Sequence, residues 1–103
     1  MTAMDWNSIS NAQVVTEIGN RLKKERINKK LTQKQLAVKA GVSLFTVAQI
    51  EKGHSVSVNM LVAVIRVLRL LPNLELLLPD QPVSPVALLK QTPKETKRVR
   101  QKK

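Results

Sequence analysis

Val14, Ile18 and Leu22 recur at every fourth position of "SNAQVVTEIGNRLKKERINKK", with polar residues between them, which is the spacing of one helical face. Ser10 precedes the run and Gln13 follows it by three, a capping-box pair that starts a helix there. Arg26 continues the apolar stripe. A charge on an inward stripe needs a carboxylate from elsewhere in the chain.

The pattern then shortens. A second capping box, Thr32 with Gln35, opens a helix to about Ala40 with Leu36 and Ala37 inward, and Gly41 stands where a left-handed residue is wanted. Ser43 caps a third helix that runs to Lys52 and stops at Gly53. At about 100° per residue, this helix turns Val47, Ile50 and Glu51 to one side and Phe45, Ala48, Gln49 and Lys52 to the other. Glu51 therefore points inward and forms the expected ion pair with Arg26. The outer side carries Leu44 and Phe45, large apolar residues on a face that ought to be wet.

Ser57 caps a fourth helix, predicted from Val58 to about Leu71 and broken by Pro72. Met60, Leu61, Val64, Ile65, Val67, Leu68 and Leu71 cover more than half of its circumference, more than one small core buries. In "NLELLL", Leu74, Leu77 and Leu78 suit a short helix, while Leu74, Leu76 and Leu78 suit a strand; helix is the preferred reading. The surplus predicts a two-fold homodimer through Met60, Val64, Val67, Leu71, Leu74, Leu77 and Leu78. From Pro79 the chain becomes Pro- and Lys-rich, without enough apolar residues for a core. The expected organisation is an N-terminal segment over 1–10, an all-α bundle of about five helices over 11–79, and a flexible basic tail over 80–103.

Charge sharpens this picture. The net charge is +11, and it is divided: residues 21–54 carry nine Lys/Arg against two Asp/Glu, and residues 81–103 carry seven against one. Two basic regions flank an oily, nearly neutral middle, a distribution suited to a polyanionic partner. There is no cysteine and one histidine, His54, so no metal site is expected and no cofactor is required. The three glycines make no phosphate loop, and the seven carboxylates make no nucleophile–base pair, which argues against an enzyme. The N-terminus lacks the features of a signal peptide, and the oily stretch from Met60 is interrupted by Arg66, Arg69, Pro72, Asn73 and Glu75, so a cytoplasmic, nucleoid-associated protein with no membrane span is expected.

The segment "IGNRLKKERINKKLTQKQLAVKAGVSLFTVAQIEKG", within residues 18–70, resembles the Xre family of phage-repressor-like helix-turn-helix regulators. The resemblance implies a lambda-repressor-like helical bundle whose third helix enters the DNA major groove, an arginine–glutamate pair between helices one and three, and close helix packing at Gly19. On that reading Leu44 and Phe45 meet thymine methyls and Gln49 bridges N6 and N7 of adenine, all as base contacts. Polar residues are common at the positions of Leu44 and Phe45 in repressors of this kind, so packing on a neighbouring loop or on another protein is the alternative for Phe45. Gln33 and Ser43, at the starts of the second and third helices, are candidates for backbone phosphate contacts or simply for capping. Lys29, Lys30, Lys34, Lys52 and His54 complete the electrostatic footprint. Trp6 is expected to cap the bundle near the N-terminus.

The function expected is that of a sequence-specific regulator of double-stranded DNA with a palindromic operator, a repressor or autoregulator. A single such domain followed by an oily segment and a basic tail also resembles antitoxins that partner a kinase-like, Hip-type toxin. The alternatives are a phage-type repressor, a restriction–modification controller or, in a different class, a basic RNA-binding module. The last lacks the exposed aromatic platforms on which single-stranded bases stack.

Overall fold

Ser10, Thr32, Ser43 and Ser57 each open a helix in the computed structural model, which describes residues 4–80. These are α1 (Asn11–Asn28), α2 (Gln33–Ala40), α3 (Leu44–Glu51) and α4 (Val58–Val67). In every case the side-chain oxygen of the cap accepts the backbone N–H three residues on, satisfying one donor that the helix itself cannot pair. At Ser10 and Thr32 the reciprocal bonds from the Gln13 and Gln35 side chains complete capping boxes.

The four helices also end alike. The N–H groups of Leu31, Val42, His54 and Leu70 reach back to the carbonyls of Arg26, Ala37, Gln49 and Ile65, the six-to-one bond of a Schellman turn. The residue before each of these is left-handed: Gly41 at φ 70° and Gly53 at 86°, but also Lys30 at 59° and Arg69 at 64°. Glycine marks two of the stops, and two are made by residues that carry a Cβ into a strained region.

This corrects the expected end of α4. The helix stops at Val67 rather than near Leu71, because the turn at Arg69 folds Leu70 back onto Ile65. Pro72 therefore breaks nothing: it lies in the first turn of a separate 3-10 segment, Leu71–Asn73, where a missing N–H is harmless. α5 (Leu74–Leu77) follows, so "NLELLL" is helical at its centre.

α2 packs on α3 and α4, and α1 packs on α3. Leu22, Leu36, Ala37, Val47, Ile50, Val64 and Leu68 form the core, to which each of α1, α2, α3 and α4 contributes. α1 approaches α3 closely only because residue 19 is glycine: a Cβ there would collide with the Ile50 carbonyl. Trp6 sits in a 3-10 turn, Trp6–Ser8, with the Arg21 guanidinium 4.8 Å from its ring centroid. The expected tail over 80–103 lies, apart from Asp80, outside the described residues, as do the first three residues of the 1–10 segment.

Opposite stability effects are expected from the two kinds of backbone site. Gly19→Ala should lower stability by about 1–3 kcal/mol, since the obstructing atom is backbone and cannot swing aside. Lys30→Gly should raise it by up to about 1 kcal/mol, the left-handed strain of roughly 1–2 kcal/mol being relieved against glycine's entropy loss of roughly 0.5–1 kcal/mol. Urea denaturation of the two variants beside the wild type checks the signs; a Gly19→Ala midpoint at or above wild type contradicts the close approach.

Candidate nucleic-acid interface

Three helices meet at one carboxylate. Arg26 of α1 donates from Nε to Glu51 Oε2 at 2.7 Å and from Nη2 to Oε1 at 3.2 Å, a two-pronged pair, and its Nη1 donates to the Leu31 carbonyl at 2.7 Å. Gln33 of α2 donates to Glu51 Oε1 from Nε2 at 2.8 Å. Arg26 and Glu51 are each 9% exposed, so the pair is held away from water, with three guanidinium hydrogens donated and both carboxylate oxygens accepting. This cluster ties the C-terminal end of α3 to the start of α2 and the end of α1, and so sets the angle at which α3 is presented.

Gln33 thus faces inward as much as outward. One hydrogen of its amide is committed to Glu51, and a phosphate would have to use the other. The Ser43 hydroxyl is similarly occupied, accepting from the Thr46 N–H at 3.0 Å and lying 2.9 Å from the Thr46 Oγ1. Thr46 itself escaped the sequence reading. It is buried, and its hydroxyl also reaches Met60 Sδ at 3.8 Å, linking the starts of α3 and α4. A threonine one turn after a serine cap reads as surface from sequence; nothing in the local pattern marks it as inward.

The outer side of α3 is open. Phe45 is 70% exposed and Leu44 49%, and neither is covered by a neighbouring loop. Ala48 and Gln49 are half-buried beside them, and Lys52 is exposed. The Gln49 amide nitrogen lies 3.3 Å from His54 Nδ1. Lys29 is drawn to Glu25 of its own helix at 3.0 Å, whereas Lys30, Lys34 and Lys52 are exposed and form no ion pair among the described residues. Four N–H groups at the starts of α2 and α3, those of Gln33, Lys34, Leu44 and Phe45, precede the first intrahelical bonds and are the donors a phosphate would use.

The residues expected at a dimer interface divide into three groups. Leu77 and Leu78 are each 70% exposed and Met60 is 41% exposed, while Val67, Leu71 and Leu74 are half-buried. Val64 does not belong with them: at 1% exposed it is core, facing α2 and α3 rather than solvent. The surplus of apolar residues on α4 is absorbed there by α2, which packs directly against it. Leu76, omitted from the helical phasing, is the most exposed of the set at 84%.

Two eight-residue helices joined by a left-handed glycine, with the second presenting an uncovered stripe and unpaired lysines around it, make a helix-turn-helix. A helix-turn-helix family model matches residues 22–73, from the middle of α1 to the last residue before α5. Comparison with curated proteins gave no match. Among the described residues no helix is long and apolar enough to cross a membrane.

Glu51→Ala is expected to cost about 3–5 kcal/mol, because it strands the Arg26 charge in a dry site and leaves Gln33 without its acceptor. The paired replacement Arg26→Met with Glu51→Leu removes both charges and should recover most of that loss. Thermal melts of the single and double variants decide between this and a solvated pair, for which Glu51→Ala would melt with the wild type.

Proposed function

The chain belongs to the Xre-type helix-turn-helix family of DNA-binding transcription regulators, and on that premise we propose that it is a sequence-specific repressor which binds a palindromic operator as a two-fold homodimer. Its domain is residues 11–79, with 1–10 as an N-terminal segment and 80–103 as a basic tail that adds general affinity for DNA. The observation that carries the reading is the open stripe of α3, where Leu44 and Phe45 stand exposed beside Gln49. A major groove offers thymine methyls to such apolar side chains and the N6 and N7 edge of adenine to a glutamine amide. Leu44, Phe45 and Gln49 are the base contacts; Gln33, Ser43, Lys29, Lys30, Lys34 and Lys52 supply the backbone contacts that set register without reading sequence.

Met60, Leu77 and Leu78, exposed like Leu76, together with the half-buried Val67, Leu71 and Leu74, are the residues through which two copies associate. A dimer built there places two recognition helices on half-sites about one turn of duplex, ~34 Å, apart. The finer role we favour is that of an autoregulating antitoxin, because a single regulatory domain is followed by an apolar island, Val83, Val86, Leu88 and Leu89, and a Lys/Arg run suited to docking on a toxin partner. Such a protein works in the cytoplasm on the nucleoid.

Base reading is tested on an operator recovered by selection from randomised duplex DNA. Phe45→Ala should weaken discrimination at its own base pair by roughly 1–3 kcal/mol, and uracil in place of thymine there, which removes only the methyl, should reproduce most of that loss. Lys52→Ala should weaken all sequences alike and flatten the salt dependence. If uracil leaves affinity unchanged while Phe45→Ala still reduces it, Phe45 does not read a methyl.

Association is tested by sedimentation: the full chain should be dimeric at tens of micromolar, and Leu76→Glu with Leu77→Glu should convert it to a folded monomer with much weaker operator binding. A wild-type monomer both on and off DNA would sink the palindromic arrangement.

A further inference from the structure

Gln49 and His54 are five residues apart, and on an unbroken helix they would point roughly 140° away from one another. The Schellman turn at the end of α3 brings them together. Gly53, left-handed at φ 86°, lets the His54 N–H return to the Gln49 carbonyl at 2.9 Å. The two side chains then meet, with Gln49 Nε2 3.3 Å from His54 Nδ1. No other residue fits at this position easily, because φ is left-handed and a Cβ there would press on Thr16 of α1. His54 is exposed and also borders a hollow of about 110 Å³ with Val15, Ile18, Val56 and Leu61.

The chemistry of the contact is directional. An amide nitrogen carries hydrogens and no lone pair to offer, so Gln49 donates and Nδ1 accepts, with the ring proton on Nε2. That leaves Gln49 with a second hydrogen on Nε2 and an open Oε1. This is the donor and acceptor pair that adenine N7 and N6 require. A glutamine amide free to rotate presents oxygen and nitrogen in either order, and one of the two orders opposes adenine. Among the described residues no other side chain hydrogen-bonds the amide of Gln49.

We infer that His54 is a positioning residue: through Nδ1 it holds the Gln49 amide in the one orientation that reads adenine, and so determines base preference without touching a base. The inference rests on Gln49 being a base contact as proposed above, and it gives His54 a role different from phosphate binding. Phosphate binding adds affinity to every sequence; positioning adds only discrimination.

The test is selection from a randomised duplex pool by the full-length wild type and by Gln49→Ala, His54→Ala and His54→Asn. Asparagine carries Oδ1 at the place of Nδ1, so it keeps an acceptor for Gln49. Gln49→Ala should abolish adenine enrichment at one position of each half-site. His54→Ala should reduce enrichment at that same position by roughly five- to ten-fold, within the span expected for one bidentate contact. Its affinity for unrelated duplex and its salt slope should stay at wild-type values, and His54→Asn should restore most of the enrichment. A uniform loss of affinity with preference intact makes His54 a phosphate contact and overturns the inference, as does His54→Asn behaving like His54→Ala. If Gln49→Ala itself leaves preference unchanged, the reading of Gln49 as a base contact fails first, and that outcome is recognised because no position then responds to either residue.

Discussion

The structure depends on one buried ion pair. Arg26 and Glu51 take two full charges out of water in a chain whose core is made of seven aliphatic side chains, and such a pair contributes little net stability against an apolar equivalent. What it contributes is geometry. An arginine fork and a carboxylate match in one plane, and here the same carboxylate also takes the Gln33 amide, while the same guanidinium takes the Leu31 carbonyl that leads into α2. Aliphatic packing alone tolerates a helix sliding by a fraction of a turn; four directional bonds among α1, the following loop, α2 and α3 do not.

That constraint matters because α2 and α3 are short. Helices of eight residues are not stable by themselves, and each needs its ends satisfied and one face buried. Serine or threonine at the start and a Schellman turn at the stop satisfy part of the unpaired backbone groups locally. The buried faces are then free to be small: Leu36 and Ala37 on α2, and Val47 and Ile50 on α3. The close approach of α1 at Gly19 to the Ile50 carbonyl lies one residue from Glu51, so this backbone contact and the ion pair lock the same turn of α3.

Among the exposed apolar residues that this packing leaves, two groups are of different kinds. Leu44 and Phe45 lie at the start of α3 among unpaired lysines, where a polyanion with methyl groups in its groove satisfies both charge and apolar area. Leu76, Leu77 and Leu78 lie beyond α4 in a region with almost no net charge, and they belong to the surface assigned above to the proposed dimer. In the function proposed above, the separation of these surfaces keeps DNA contact and association from competing for the same side chains.

Much of this was legible in residue order alone. The four caps, the glycine turn between α2 and α3, the inward phase of Glu51 and the outward phase of Phe45 follow from spacing, because capping and helical periodicity are local and act over three to five residues. Other features needed the folded chain. The left-handed stops at Lys30 and Arg69 carry no glycine signal, so spacing alone extends α4 one turn too far. Val64 lies on a stripe that is surplus by periodicity alone; only the packing of α2 on α4 makes it core. Thr46, Gln33 and the meeting of Gln49 with His54 depend on which side chain a neighbouring element or a turn brings within hydrogen-bond reach. Periodicity specifies the direction in which a residue points, and the tertiary structure decides what it finds there, since contact partners are set by the crossing of helices far apart in sequence.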